Sequence, residues 1–185
     1  MVKTIVFDMD DTLFDLIPAW CAWLNKKYGL AVKPKEITDW DICKFFPSLT
    51  QKQVFSPLEK ASFWQTVQPK PYAARVLKAL LKDGFDVYLC TATHYKNVQE
   101  KYEILIRPYL PFITWDKIIV MKNKQMLKTD ILIDDNPKNL EGGAYYKILF
   151  TASHNKDYDT DKHYMNRANS LNEVKDIIYL LAGKR

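Results

Sequence analysis

Five short apolar runs recur along the chain, at Lys3 to Phe7, Phe85 to Cys90, Lys117 to Met121, Ile131 to Ile133 and Lys147 to Phe150. Most are continuous rather than alternating, as expected of parallel strands covered on both faces. Between them the apolar spacing lengthens to that of a helix. Ala73, Val76, Leu77, Leu80 and Leu81 share one face, ended by Gly84, and Tyr95, Val98, Tyr102, Leu105 and Tyr109 share another. A last helix presents Leu171, Val174, Ile178 and Leu181 and opens on the capping box Ser170 to Glu173. Strands alternating with helices predict an α/β fold with a doubly wound, mostly parallel sheet.

One stretch breaks that rhythm. From about Leu16 to Lys70 there are helical signals but no convincing strand: Ile17, Trp20, Leu24 and Tyr28 form a stripe that Gly29 closes. Thr50 with Gln53, and Ser56 with Glu59 behind Pro57 at the first helical position, add two capping signatures. The pattern predicts a small helical cap, residues 16–70, inserted just after strand one, with residues 1–15 and 71–185 forming the core.

Composition changes this picture little. The 185 residues are 48% apolar and 26% charged, the make-up of a folded chain with room for one core and a modest insertion. Twenty-seven Lys and Arg against 22 Asp and Glu leave a net charge of +5, which favours anionic partners. The lysines are scattered with acids between them, however, and read as a solvated surface rather than a stripe for a nucleic-acid polymer. The start, MVKTIVFDMD, lacks the length and cleavage site of a signal peptide, and no stretch approaches the ~20 apolar residues of a membrane span, so no membrane partner is expected. Cys21, Cys43 and Cys90 form no C-x-x-C pair, which argues against a disulfide framework or zinc knuckle and fits a reducing cytoplasm.

Candidate chemistry sharpens the reading. In open α/β sheets ligands bind at the carboxyl ends of the strands. The residues just past the predicted strands are Asp8, Asp10 and Asp11; Thr91 and Thr93; Lys122 and Lys124; and Asp134 and Asp135. Carboxylates converging from two strands repel each other unless a hard cation sits between them, and Mg²⁺ prefers oxygen ligands with few protein carboxylates. A phosphoryl group then finds each role filled. Asp8 can form an aspartyl-phosphate, Asp10 can act as general acid and then base, Thr91 offers a hydroxyl, and Lys124 offers a cation that also restrains Asp8. Asp134 and Asp135 complete the metal site.

Simpler readings compete piece by piece. DMDDTLFD is no EF-hand loop, because Leu13 and Ala19 stand where Gly and Glu are required. IDDNP alone is an ordinary strand-to-turn exit. What is specific is four compatible pieces in order, each at a predicted strand end.

Those pieces resemble the haloacid dehalogenase (HAD) superfamily of phosphotransferases, whose pattern D-x-D-x-T, then Ser/Thr, then Lys, then paired acids is matched by Asp8-Met9-Asp10-Asp11-Thr12, Thr91, Lys124 and Asp134-Asp135. More narrowly, KYEILIRPYL, KIIVMKNKQMLKTDILIDDNP and ILFTASHN are similar to the 5'(3')-deoxyribonucleotidase family, as are the DMD start and the cap. The resemblance implies a Mg²⁺-dependent nucleotidase acting on small nucleoside monophosphates. It implies that Asp8, the backbone carbonyl of Asp10 and one of the paired acids hold the metal. It selects Lys124, ten residues before the first paired acid, as the phosphate lysine and puts Lys122 near the substrate. The chain departs from the family at Asp11, where Gly is usual, at Asn136, where Arg is frequent, and from Ala92 to Lys96, where serine and proline are usual.

Substrate selection falls to the cap, rich in Trp20, Trp23, Trp40, Phe45, Phe46, Phe55, Phe63 and Trp64, which either stack a base or pack the cap's own core. Phe63 and Trp64 are taken as substrate-facing, together with Ala92 and with Leu16, which by similarity sits where an aromatic normally faces the base. His94, His154 and His163 show no ligand spacing, and His94 alone is expected near the site. A different ester such as a sugar phosphate would use the same chemistry, since cap residues decide specificity. A receiver-like phospho-accepting switch also sets acids, a Thr and a Lys at strand ends, but has no need of a general acid at Asp10. The oligomeric state is left open, with a homodimer as one option.

Overall fold

A computed structural model describes residues 2–184. Six strands, β1 (Thr4–Asp8), β2 (Asp86–Thr91), β3 (Ile118–Val120), β4 (Ile131–Asp134), β5 (Tyr146–Phe150) and β6 (Asn166–Ala168), lie in the order β3-β2-β1-β4-β5-β6. Every neighbouring pair is parallel. The five expected strands are all there, with ends within a few residues of the apolar runs. The sixth, Asn-Arg-Ala, has no apolar run to announce it. It is held at the sheet edge by its backbone pairing to β5 and buries only Ala168 fully.

Residues on alternate sides of β1 feed two apolar clusters. Ile5 and Phe7 face one that includes Leu77 and Leu80 of α4 (Ala73–Lys82) and Val174 and Ile178 of α8 (Leu171–Leu181). Val6 faces the other, with Leu132, Leu149 and Leu140 of α7 (Pro137–Leu140). Both faces are therefore covered by helices, the arrangement that uninterrupted apolar strands require. At the start of α8 the Ser170 hydroxyl accepts from Glu173 N–H at 3.2 Å, while the Glu173 carboxylate reaches back to Asn169 N–H at 2.9 Å rather than to Ser170 N–H.

Residues 16–70 hold α1 (Leu16–Tyr28), α2 (Gln51–Phe55), α3 (Ala61–Trp64) and short 3₁₀ turns, and no strand. Gly29 ends α1 at φ +67°, a left-handed conformation that is nearly free for glycine. The Thr50–Gln53 capping box is present in both directions, 2.8 and 3.3 Å. Ser56 differs from its expected role: its hydroxyl donates back to Gln53 C=O at 2.9 Å, so it prolongs α2 into a 3₁₀ turn instead of capping a new helix. Leu24, Phe63 and Trp64 belong to the same apolar cluster as Ile5 and Phe7, so this segment and the sheet share one core.

The stretch from Tyr95 to Tyr109 is helical throughout but not uniform. A 3₁₀ turn (Tyr95–Asn97) leads into α5 (Val98–Glu100), a wide π-helical segment (Lys101–Ile106) and α6 (Arg107–Tyr109). These changes of pitch shift the phase of the expected stripe. Tyr95 is 73% exposed, whereas Lys101 is 2% exposed and points inward. Among the described residues no helix is long and apolar enough to cross a membrane.

Because the core is continuous, Leu24→Ala, which empties a fully buried position in the inserted segment, is expected to destabilise the whole molecule by about 2–5 kcal/mol. Chemical denaturation followed by circular dichroism and by tryptophan fluorescence should show one coincident transition shifted to lower denaturant.

Candidate active site

Parallel register brings the candidate residues to one edge of the sheet. Asp8 pairs with Cys90 in β2, next to Thr91, and Phe7 pairs with Ile133 in β4, next to Asp134. After β1 the chain turns tightly: Leu13 and Phe14 N–H both donate to Met9 C=O, and Asp11 takes φ +56°. A non-glycine residue there carries strain. The Asp11 carboxylate accepts from Ile17 N–H at 3.0 Å, tying this turn to the first turn of α1. The side chain thus makes a contact that the Gly expected from the resemblance could not make.

Lys124, fully buried on a 3₁₀ turn (Lys124–Met126), is the hub. Its ammonium contacts Asp8 Oδ1 and donates to Asp134 Oδ2 at 2.7 Å. Burial by itself would lower the Lys124 pKa, but Asp8 and Asp134 outweigh it and hold the group firmly protonated. Asp134 is further engaged by Asn136 N–H at 2.8 Å and by the Asn139 amide at 3.1 Å to both oxygens. Tyr145 braces this side, its hydroxyl donating to Asn139 C=O at 2.9 Å.

Asp135 is far less satisfied. Thr12 Oγ1 lies 3.5 Å from Oδ1, and Oδ2 is buried without an aligned hydrogen bond. Asp10 Oδ1 is likewise buried and unpartnered. Carboxylate oxygens of Asp8, Asp134 and Asp135 lie within 4.8 Å of one another. Burial, followed by the neighbouring acids, pushes the carboxyls of Asp8 and Asp135 well above the usual range, although Lys124 opposes this at both. Orphaned buried carboxylate oxygens that repel one another are what a hard divalent cation relieves, so the residues present fit Mg²⁺.

A second lysine completes the polar floor. Lys101, on the π-helical segment, contacts Asp10 Oδ2 and donates to Thr91 Oγ1 at 2.8 Å, with Trp64 beneath its ammonium at 5.2 Å. It escaped the sequence reading because it sits at the i+3 position from Val98, on the apolar stripe itself. A charge in such a stripe was the available signal.

Above the floor opens a cavity of about 410 Å³. Asp8, Asp10, Lys124, Asp134 and Asp135 are in its lining, together with Leu16, Trp20, Trp40, Phe55 and Ala92, and with Asp39 and Asp41 on either side of Trp40 in the chain. Lys122 is exposed and outside the lining, and Phe63 and Trp64 are buried in the apolar cluster rather than on the cavity wall. Trp20 and Phe55 meet edge to face at 5.2 Å, with the Trp20 indole N–H donating to Val54 C=O. The expectation for the histidines is reversed. His94 is exposed and off the cavity, whereas the side chain of His154 is 3% exposed, lines the cavity and places Nε2 at 2.8 Å from Asp135 Oδ2. Burial lowers the His154 pKa despite the nearby acids.

The sequence pattern of the 5' nucleotidase, deoxy (pyrimidine), cytosolic type C protein family matches residues 1–185. The chain belongs to this family. A 5'(3')-deoxyribonucleotidase of Clostridium acetobutylicum is 37% identical over 153 residues, covering 83% of this chain and 84% of that protein. One of Bacillus subtilis is 35% identical over 168 residues, covering 90% and 95%. Among solved structures, a haloacid dehalogenase-like protein of Agrobacterium tumefaciens superposes with a TM-score of 0.67 at 15% identity, covering 98% of this chain and all of that one. The chain is thus a phosphoric monoester hydrolase built on the HAD-type α/β fold.

Asp11 generates a test of the site's electrostatics. Burial first, then Asp135, pushes its carboxyl from the ordinary 3.8 up to about 8. The unfolded chain ionises this group from about pH 4, while the folded one keeps its proton until about pH 8. Its contribution to stability is therefore complete below pH 4 and lost as pH rises towards 8. Metal-free protein is expected to melt at progressively lower temperature over that window, and Asp11→Asn, which cannot ionise, should flatten part of the decline in calorimetric scans.

Proposed function

We propose that this enzyme hydrolyses the phosphate ester of (deoxy)ribonucleoside monophosphates, with Mg²⁺ as its cation and residues 16–70 acting as a substrate-selecting cap. The observation that carries this reading is one cavity whose lining joins the strand-end acids and Lys124 with Leu16, Trp20, Trp40 and Phe55, Asp39 and Asp41 adding polar groups beside Trp40. Such a lining suits a ligand with a dianionic phosphate at one end and a flat, largely apolar base at the other. The names of the relatives at 35% and 37% identity support the same substrate class. The three free thiols, Cys21, Cys43 and Cys90, suit a reducing cytoplasm.

Asp8 and Asp135, with the Asp10 carbonyl implied by the HAD resemblance, would hold the metal. Asp134 is less suited, because Lys124, Asn139 and the Asn136 N–H already occupy its oxygens. When bound, the cation offsets phosphoryl charge and orients the group for in-line attack. Asp8 supplies the nucleophile: a carboxylate oxygen bonds to phosphorus as the bond to the sugar oxygen breaks, and Asp10 protonates the departing oxygen. Asp10 then takes a proton from water, the water oxygen bonds to phosphorus, and the bond to Asp8 breaks to release phosphate. Lys124 restrains Asp8 and meets the charge of the transferring group. Thr91 and Lys101 contact one another, and Lys101 also contacts Asp10, so together they fix its carboxylate beside Asp8.

A panel of phosphate esters scored by phosphate release should rank deoxynucleoside monophosphates first, with activity removed by EDTA and restored by Mg²⁺. Deoxynucleotides at the bottom of the ranking, below sugar phosphates, would overturn the substrate assignment. Asp8→Asn is expected to abolish turnover. Asp10→Asn is expected to trap phosphoenzyme or lower kcat by about 10²–10⁴-fold, and unchanged release from it would remove Asp10 from the mechanism.

A further inference from the structure

After β5 the chain makes a short turn through Thr151-Ala152-Ser153-His154-Asn155, and Asn155 locks that turn in place. Its Oδ1 accepts from Ala152 N–H at 3.1 Å, and its amide donates to Phe150 C=O at 2.8 Å and to Asp135 C=O at 2.6 Å. Arg167 of β6 donates to Asn155 C=O at 3.2 Å and to Tyr158 C=O at 2.8 Å. The backbone on either side of the His154–Asp135 contact is therefore fixed, and only the two side chains remain to adjust.

Those side chains meet in an unfinished way. The imidazole Nε2 lies 2.8 Å from Asp135 Oδ2, with the two side chains 3% and 2% exposed. Neither atom completes an aligned hydrogen bond, and the other ring nitrogen is also buried without a partner. Leaving buried polar groups without partners is costly, so the arrangement calls for a partner that completes it. On its far side the ring is held by Trp40, edge to face at 5.2 Å and 80°. The ring is thus clamped between the aromatic wall of the cavity and an acid whose Oδ2 the rest of the protein leaves open.

We propose that His154 is a positioning residue for the divalent-cation site, its ring N–H taking Oδ2 of Asp135 so that Oδ1 is presented to the cation. The inference rests on the Mg²⁺ reading given above and adds to it a residue that the acid and lysine motifs do not contain. Groups that orient a metal-bound carboxylate commonly carry one to two orders of magnitude of metal affinity.

Calorimetric titration of MgCl₂ into substrate-free full-length protein at fixed pH tests it. His154→Phe keeps the ring volume and the Trp40 contact but has no N–H, and is expected to weaken Mg²⁺ binding by about 10–100-fold. His154→Gln, which keeps a donor, should recover most of the lost affinity, an outcome that a packing role alone would not produce. Unchanged affinity in His154→Phe overturns the proposal while leaving the metal reading intact. Absence of Mg²⁺ binding by the native protein sinks both. A measurement on the native chain covers the case of a variant that does not fold. With three histidines in the sequence, the ring ¹⁵N resonances of His154 should shift with Mg²⁺ along the calorimetric isotherm while those of His94 and His163 stay still, and static His154 resonances overturn the proposal.

Discussion

A single buried ammonium makes this active site feasible. Strands β1 and β4 are neighbours, so their carboxyl ends force Asp8 and Asp134 together in a buried region. Without a counter-charge the two acids would repel and the sheet edge would open or titrate to neutrality. Lys124, between them, removes that conflict and is itself kept charged by both. Removing one member of such a buried set costs more than the contact alone, because the partners stay desolvated. The remaining polar floor follows from the same balance. Lys101 answers Asp10, whereas Asp135 is left without a lysine of its own.

The strand-end chemistry was legible in the sequence because sheet geometry converts linear order into proximity. Asp8, Thr91 and Asp134 each follow an apolar run, and parallel pairing at matched register can only place them side by side. The alternation of strands and helices likewise required no tertiary information. Strand β6 lay beyond this reasoning: three residues at a sheet edge need backbone partners, and their side chains carry no pattern.

What stayed hidden is equally specific. Lys101 is turned inward by a change of helical pitch, and the identity of a residue in an apolar stripe does not announce a π-helical segment. His154 reaches Asp135 only through a turn that Asn155 and Arg167 close from other elements. Aromatic residues of residues 16–70 divide between core and cavity wall according to packing. Phe63 and Trp64 are swallowed by the cluster beneath the sheet, while Trp20, Trp40 and Phe55 line the cavity, a split that composition cannot foresee.

The shared core has a consequence for how ligands come and go. Leu24, Phe63 and Trp64 interdigitate with the same cluster that seats β1 and α4, so swinging the inserted segment away as a rigid flap would strip a contiguous apolar surface and expose it to water. The rim costs no such exposure: there Trp40 is 59% and Phe55 38% exposed. Rotation of side chains at that threshold is a change of shape that leaves the common core intact, since it uncovers none of the apolar surface the inserted segment shares with the sheet.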